Sequence, residues 1–392
     1  MTTTPAPARL RAVTRELDPG GDLIAAVDAE GFAWLHHKTR IVASGVAARL
    51  APDDVAAALA AIETDDPLGL PGTGALAVGG LPFDPAAGGE LVVPARVVGE
   101  LNGCAWVTEI EPRPSDAVDA RTQPTRFSVV APRSREQWRA MVQAALAAIG
   151  SGELEKVVLA REVMIEADTP FDLRAIVRRL VSQQPGCFVY ASEGLVGASP
   201  ELLVRRIDDE VESLPVAGTA VADGDDASLR ALAASVKDHR EHRFVVDAIV
   251  ETLEEYCDEL DAGTVPEVAV FGHVAHLATR VSGRLRAPAP SALEIARRLH
   301  PSPAVGGTPR QTAVEAIGAL EGFDRGRYAG PVGWVDARGN GEWAIALRGA
   351  ELDGSRARLV AGAGIVTGSE PDAEWAETQA KLEPMLRALV RP

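Results

Sequence analysis

The stretch YAGPVGWVDARGNGEWAIALRGAELDGSRARLVAGAGIV, residues 328–366, carries the fold class. It reads as three strands. ARGNGE and LDGSR supply the turns, and apolar runs lie between them. Strands joined by turns this short are antiparallel neighbours. The same pattern recurs upstream. CFVYASEGLVGASPELLVRR (187–206) reads as a hairpin of two strands. LEKVVLAREVMI (154–165) reads as one strand rich in β-branched residues, and VAHLATRVSGRLR (274–286) as another. ALAVGGLPFDP (75–85) reads as a buried strand that ends in a proline-bounded turn.

Helices alternate with these strands. Ser134 and Gln137 fit a capping box. Trp138, Met141, Val142, Ala145, Leu146 and Ile149 follow at helical spacing, and Gly150 fits the stop. DLRAIVRRLVSQQP (172–185) is helical, and ASVKDHREHRFVVDAIVETLEEYCDEL (234–260) is one long amphipathic helix. SALEIARRLHP (291–301) is a helix stopped by Pro301, TAVEAIGALEG (312–322) is a short helix, and EWAETQAKLEPML (374–386) closes the chain. VAARLAPDDVAAALAAIE (46–63) is Ala-rich and partly helical. The polar, proline-rich segment 111–126 reads as a linker or exposed loop. The sum is an α/β chain of the α+β kind, with a hairpin-rich, largely antiparallel sheet.

The 392 residues are 46 % hydrophobic but only 4 % aromatic, so aliphatic side chains must build the core. A net charge of −17 argues against a nucleic-acid partner, which needs a basic footprint. It leaves small anions open, because a local cationic site can sit on an acidic protein. Cys104, Cys187 and Cys257 are widely spaced and show no zinc or redox motif. They suit a reduced, cytoplasmic chain. The start carries no apolar signal region and no run reaches ~18 apolar residues, so neither export nor a membrane span is expected.

Several constellations bear on chemistry. In the closing helix Glu374, Glu377 and Lys381 fall at i, i+3 and i+7, on one face. In VKDHREH, Asp238 and Glu241 repeat the i, i+3 spacing beside Lys237 and His242. Two helices thus each present a carboxylate pair. Oxygen donors without cysteine suit a hard cation, Mg²⁺, while zinc would want His or Cys. Two solvated acidic faces fit the same pattern. Gly362, Gly364 and Gly368 surround a strand end that leads into a helix start. Glycines there let backbone N–H groups approach an anion, although a strand-to-helix loop also uses them for its geometry.

Lys156 shares a strand face with Val158 and Ala160. A desolvated lysine suits a base, and a strand-end lysine reaching solvent suits the spacing as well. Glu201 follows Pro200 and opens a strand. A carboxyl held protonated there would be a general acid, and a surface turn residue is the plainer alternative. His276 could hydrogen-bond a ligand or be a satisfied core histidine.

EKVVLAR, GASPELL, VAGTA, KDHREH, HLAT, HPSPAVGG, GNGEWAIALRGA, AGAGIV and EWAETQAKL occur in that order along the chain. This series resembles the chorismate-utilising enzymes: isochorismate, salicylate, anthranilate and aminodeoxychorismate synthases. The resemblance covers roughly residues 130–390. Residues 1–125 match loosely, chiefly at GGLPFDP, which looks like the isochorismate-synthase version. It implies one large domain of two packed, mainly antiparallel sheets flanked by helices, like component I of anthranilate synthase. Residues 1–125 would form its N-terminal part and 126–392 its chorismate-binding region.

The resemblance also implies Mg²⁺ and chorismate, and it distributes roles. Lys156 matches the base that activates water for attack at ring carbon 2. Glu201 matches the acid that protonates the departing 4-hydroxyl. Glu241 and Glu377 match the main metal carboxylates, with Asp238 and Glu374 in or near the metal shell. Arg348 matches the arginine on the pyruvyl carboxylate. Lys381 and the backbone of Gly362, Ala363 and Gly364 match a carboxylate cradle. Gly218, Thr219, His276 and Ala304 line the site.

Lys156 favours water as nucleophile, as in isochorismate and salicylate synthases, over ammonia supplied by a glutamine amidotransferase. Ala304 looks like the isochorismate-synthase residue, where lyase-type relatives usually carry threonine. The implied protein is a monomer or weak dimer, of the siderophore- or menaquinone-type isochorismate synthases. Salicylate synthase and a non-catalytic chorismate-binding homologue are the alternatives. Two positions depart from the usual pattern: Val236 replaces an acid, and Gly306 stands at a serine position. Neither carries an assigned chemical role.

Overall fold

The computed structural model describes residues 10–28, 31–111, 123–222 and 226–390. Among these, hydrogen bonds join 20 strands into one network and three more into a small separate sheet. Nearly all pairings are antiparallel; Arg11–Val13 runs parallel to Glu63–Asp65. Helices cover the sheets, which gives the α+β class expected. Strands from the first hundred residues are built into the same network as later ones. Phe32–Leu35 pairs with Val189–Ser192, and Leu76–Gly80 pairs with Val332–Asp336. Of the proline-rich segment 111–126, residues 112–122 lie outside the described residues.

The decisive stretch forms four strands rather than three: Pro331–Asp336, Gly341–Ile345, Gly349–Asp353 and Arg356–Ile365. The extra break falls at Arg348, whose φ of +49° cannot continue a strand. CFVYASEGLVGASPELLVRR likewise makes three strands, because Pro200 and Glu201 separate Leu195–Ser199 from Leu202–Ile207. VAHLATRVSGRLR divides between the two sheets. Val274–Ala278 belongs to the small one and Val281–Leu285 to the large one. The long helix ends at Glu254, and Cys257–Ala262 turns into a strand beside Val281–Leu285.

Helix Arg135–Gly150 begins with the expected capping box, Ser134 with Gln137, an arrangement that contributes about 1 kcal/mol. Gly150 is its last residue, and the left-handed turn comes later, at Gly152. Its apolar face, with Trp138 and Val142 fully buried, packs into the largest core. Aliphatics fill most of that core, with Trp138 and Trp343 fully buried in it, while Trp34, Trp106 and Trp334 are fully buried in a separate cluster.

Three strands and two helices frame the site. Strand Lys156–Ala167 pairs with Arg356–Ile365, so that Val158 faces Gly364 and Ala160 faces Gly362. Helix Pro371–Val390 packs on strand Arg356–Ile365. Arg161 fixes it there: its Nε donates to Thr378 Oγ1 at 2.8 Å, and its guanidinium lies 3.9 Å from the centre of the Trp375 ring. Helix Val236–Glu254 packs on strand Val216–Val221 of the small sheet.

Candidate active site

A cleft enclosing about 650 Å³ of empty space, partly open to solvent, lies where these elements meet. Glu201, Glu241, His276, Arg348, Glu377 and Lys381 all face it, from five different elements or loops. Gly218, Thr219, Ala304, Gly362 and Gly364 also line it. Strand alternation turns Ala363 the other way, and its methyl is buried in the main core. Asp238 and Glu374 stand behind the wall rather than on it.

Lys156 is fully buried at the start of its strand, with Nζ 3.1 Å from Glu241 Oε1. It is set back from the cleft surface behind that carboxylate. The space between them depends on a glycine. A Cβ on Gly364 would overlap the Glu241 carboxylate and come within 3.2 Å of Lys156 Cε. Burial alone would raise the pKa of Glu241, but Lys156, Lys381 and Lys237 together outweigh it and hold it below its ordinary value.

Glu201 has the opposite balance. It is 2 % exposed, just past Pro200, where the chain leaves one strand for the next. Burial pushes its carboxyl up to about 8, with Lys156 and Lys381 offsetting only part of that rise. At neutral pH it therefore carries a proton, as a general acid must.

The acidic end is balanced by lysines. Glu377 Oε1 lies 2.7 Å from Lys381 Nζ and accepts from Thr219 Oγ1 at 3.2 Å. Glu374, 1 % exposed, accepts from Lys237 Nζ at 2.8 Å. Burial, reinforced by Glu377, raises the Glu374 pKa even so. Burial also raises that of Asp238, with Glu241 and Glu377 adding to it. As placed, no three acids, histidines or cysteines among the described residues close in on one point. Glu241 and Glu377 nevertheless face the same cleft from different helices. Mg²⁺ commonly takes one or two protein carboxylates and completes its shell with water and substrate oxygens, so this donor set fits it.

The other end is cationic. His276 is buried, and its Nδ1 lies 2.7 Å from the Gly218 carbonyl. Burial, with Arg348 and Lys381 nearby, holds His276 well below its usual pKa, so the ring is neutral. Nδ1–H then donates to Gly218, and Nε2 accepts from Arg348 Nη2. Arg348 is 6 % exposed, and its Nη1 is buried without a hydrogen-bond partner. A guanidinium donor left unsatisfied in a buried site costs about 1–3 kcal/mol, a deficit that a ligand carboxylate would remove. Lys381 Nζ donates to the Gly362 carbonyl at 3.0 Å, which ties the closing helix to the glycine strand.

Tyr328, which no motif singled out, also lines the cleft, and a Cβ on Gly362 would sit 3.1 Å from its hydroxyl. Its signal in the sequence is slight: a lone tyrosine before AGPVG in a chain with only three tyrosines.

This is the fold of a chorismate-binding enzyme. The chain belongs to that family, whose pattern, described as "Chorismate binding enzyme", matches residues 103–390. It is 36 % identical over 330 residues to the isochorismate synthase DhbC of Bacillus subtilis, covering 80 % of each chain. It is 36 % identical over 321 residues to the isochorismate synthase EntC of Escherichia coli, covering 79 % of this chain and 80 % of that one. The structure of MenF, the menaquinone-specific isochorismate synthase of Escherichia coli, superposes with a TM-score of 0.82 at 26 % identity, covering 97 % of this chain and 95 % of that one.

Proposed function

We propose that this chain is a Mg²⁺-dependent isochorismate synthase, which converts chorismate to isochorismate. The observation that carries the reading is a buried lysine, Lys156, and a buried glutamic acid, Glu201, at the same cleft. Lys156 and Glu201 lie close enough for the lysine to influence the carboxyl's proton affinity.

Water attacks ring carbon 2 and passes its proton to Lys156, and the Glu241 carboxylate 3.1 Å away stabilises the ammonium that results. Glu201 gives its proton to the 4-hydroxyl, which departs as water. One water adds and one leaves, so the reaction is an isomerisation. Arg348 takes one substrate carboxylate through its unsatisfied N–H, held in place by neutral His276. Lys381 and the Gly362–Gly364 strand edge suit a second carboxylate. Bound Mg²⁺, held by Glu241 and Glu377 with Asp238 and Glu374 behind them, would supply positive charge to that carboxylate in an otherwise acidic corner. Water rather than ammonia as nucleophile makes a glutamine amidotransferase subunit unnecessary.

Incubation with chorismate and Mg²⁺, followed by separation of products, tests the reading. Isochorismate without pyruvate is the expected result. Stoichiometric pyruvate and salicylate at neutral pH would point to salicylate synthase instead, a reading against which Ala304 on the cleft wall counts.

A further inference from the structure

Glu321 and Arg325 form an ion pair almost sealed from solvent, at 1 % and 3 % exposure. Glu321 ends helix Arg310–Glu321, and Arg325 follows just beyond the left-handed Gly322. Arg325 grips the carboxylate at two points, Nη2 to Oε1 at 2.5 Å and Nε to Oε2 at 2.9 Å. The remaining donors do not stay within the pair. Nη1 donates to the Val305 carbonyl at 2.7 Å, and Nη2 also donates to the Val158 carbonyl at 2.8 Å. Glu321 Oε1 in turn accepts from the Ala160 backbone N–H at 2.7 Å. The guanidinium sits 4.3 Å from the centre of the Phe83 ring, which holds it from the side.

Val158 and Val305 both line the cleft, and they come from different parts of the chain. Val158 is on the Lys156 strand, and Val305 is on the loop that carries Ala304. One planar guanidinium therefore braces both walls, which also meet directly where the Val158 N–H donates to the Gly306 carbonyl at 2.8 Å. A lysine could not do so, because it is a point charge rather than a fork. Stability alone is a poor reason for such a pair, since buried ion pairs are commonly replaceable by apolar side chains without loss.

We propose that Glu321 and Arg325 are positioning residues that set the gap between Val158 and Val305, and with it the slot for the substrate ring. The inference rests on the reading of the cleft as a chorismate site. Neither residue touches substrate; both act through the backbone of the walls.

Arg325→Met alone strands a buried carboxylate, so the informative variant is the double replacement Glu321→Leu/Arg325→Met, which leaves an apolar pair of similar bulk. Its thermal midpoint should return close to that of the wild type. Its KM for chorismate, and its chorismate dissociation constant by calorimetry, should stay raised by about five-fold or more, because the walls are no longer held in register. The Mg²⁺ concentration for half-maximal activity should not move, because Glu241 and Glu377 come from helices the pair does not touch. Arg325→Lys, which keeps the charge but not the fork, gives the same readout if the double variant does not fold. Chorismate affinity within about two-fold of wild type in a folded variant overturns the proposal and leaves the enzyme assignment standing. Failure of the wild type to bind chorismate overturns both.

Discussion

Nζ of Lys156 lies 3.1 Å from Oε1 of Glu241, with Lys156 wholly buried and the Glu241 side chain 12 % exposed. The pair joins the proposed base to a proposed metal carboxylate, so its two members should fail in different ways. Lys156→Ala removes the proton acceptor and is expected to lower kcat by about 10²–10⁴-fold. It also leaves Glu241 without its nearest cation, so a lower melting temperature is expected alongside. Circular dichroism confirms the fold; wild-type turnover in a folded Lys156→Ala protein would remove the lysine from the mechanism.

Glu201 predicts a pH dependence with a defined sign. Its folded pKa is raised from the ordinary 4.5 to about 8, so the folded protein binds the proton more tightly than the unfolded chain. The stability from this group is fully present below about pH 4.5 and is lost as pH rises towards and through about 8. Glu201→Gln cannot ionise, so its melting temperature should gain on that of the wild type over this interval. Its turnover should nonetheless be lower by about 10²-fold or more, since an amide is no acid. Wild-type kcat should fall by up to about tenfold per pH unit above pH 8. A flat kcat between pH 7 and 9.5 would take the acid role from Glu201.

Glu377 faces the cleft while Glu374 stands behind it, which separates their variants. Glu377→Gln should weaken Mg²⁺ binding by about tenfold or more, and activity should fall with it. Calorimetry with Mg²⁺ alone reads this without turnover. Glu374→Gln, whose side chain bonds Lys237 rather than lining the cleft, should weaken binding less. Equal affinities in the wild type and both variants would refute the metal assignment.

Gly364 should tolerate nothing larger. Its Cβ would overlap the Glu241 carboxylate, and the strand partner Val158 prevents the backbone from backing away. Gly364→Ala is expected to destabilise by about 1–3 kcal/mol and to cost at least about 10²-fold in kcat. Gly368→Ala, with open space around the added carbon, serves as the comparison, although its φ of +90° brings its own strain. Near-normal turnover by Gly364→Ala would show that Glu241 need not sit where it does.

Much of this was legible in the chain itself. The capping box at Ser134, the strand at Lys156 and the i, i+3 acid pairs depend on local spacing, and local spacing survives folding. The places where the reading fell short share a cause. Arg348 and Glu201 each break what the apolar pattern runs together, because each must leave the strand to enter the cleft. Asp238 and Glu374 carry the same spacing signal as Glu241 and Glu377. Which acid of each pair meets the cleft depends on how its helix is rotated against a sheet, and the helix alone does not record that. Glu321 and Arg325 look like an ordinary i,i+4 surface pair. Only the burial of the loop after Gly322 makes them structural neighbours of Val158 and Val305.

The bond from Arg161 to Thr378 spans 217 positions of sequence. The lysine strand is therefore synthesised long before the helix that completes its surroundings. On the ribosome, Glu201, Glu241 and Arg348 all emerge while the residues that will carry Glu377 and Lys381 are not yet made. Because translation is slow and this helix follows the other elements that frame the cleft, a nascent chain has no working cleft until the helix has emerged. Competence arrives all at once when that helix emerges. A message truncated even a few codons before Glu377 should yield an inert polypeptide, rather than a weakened enzyme that occupies substrate.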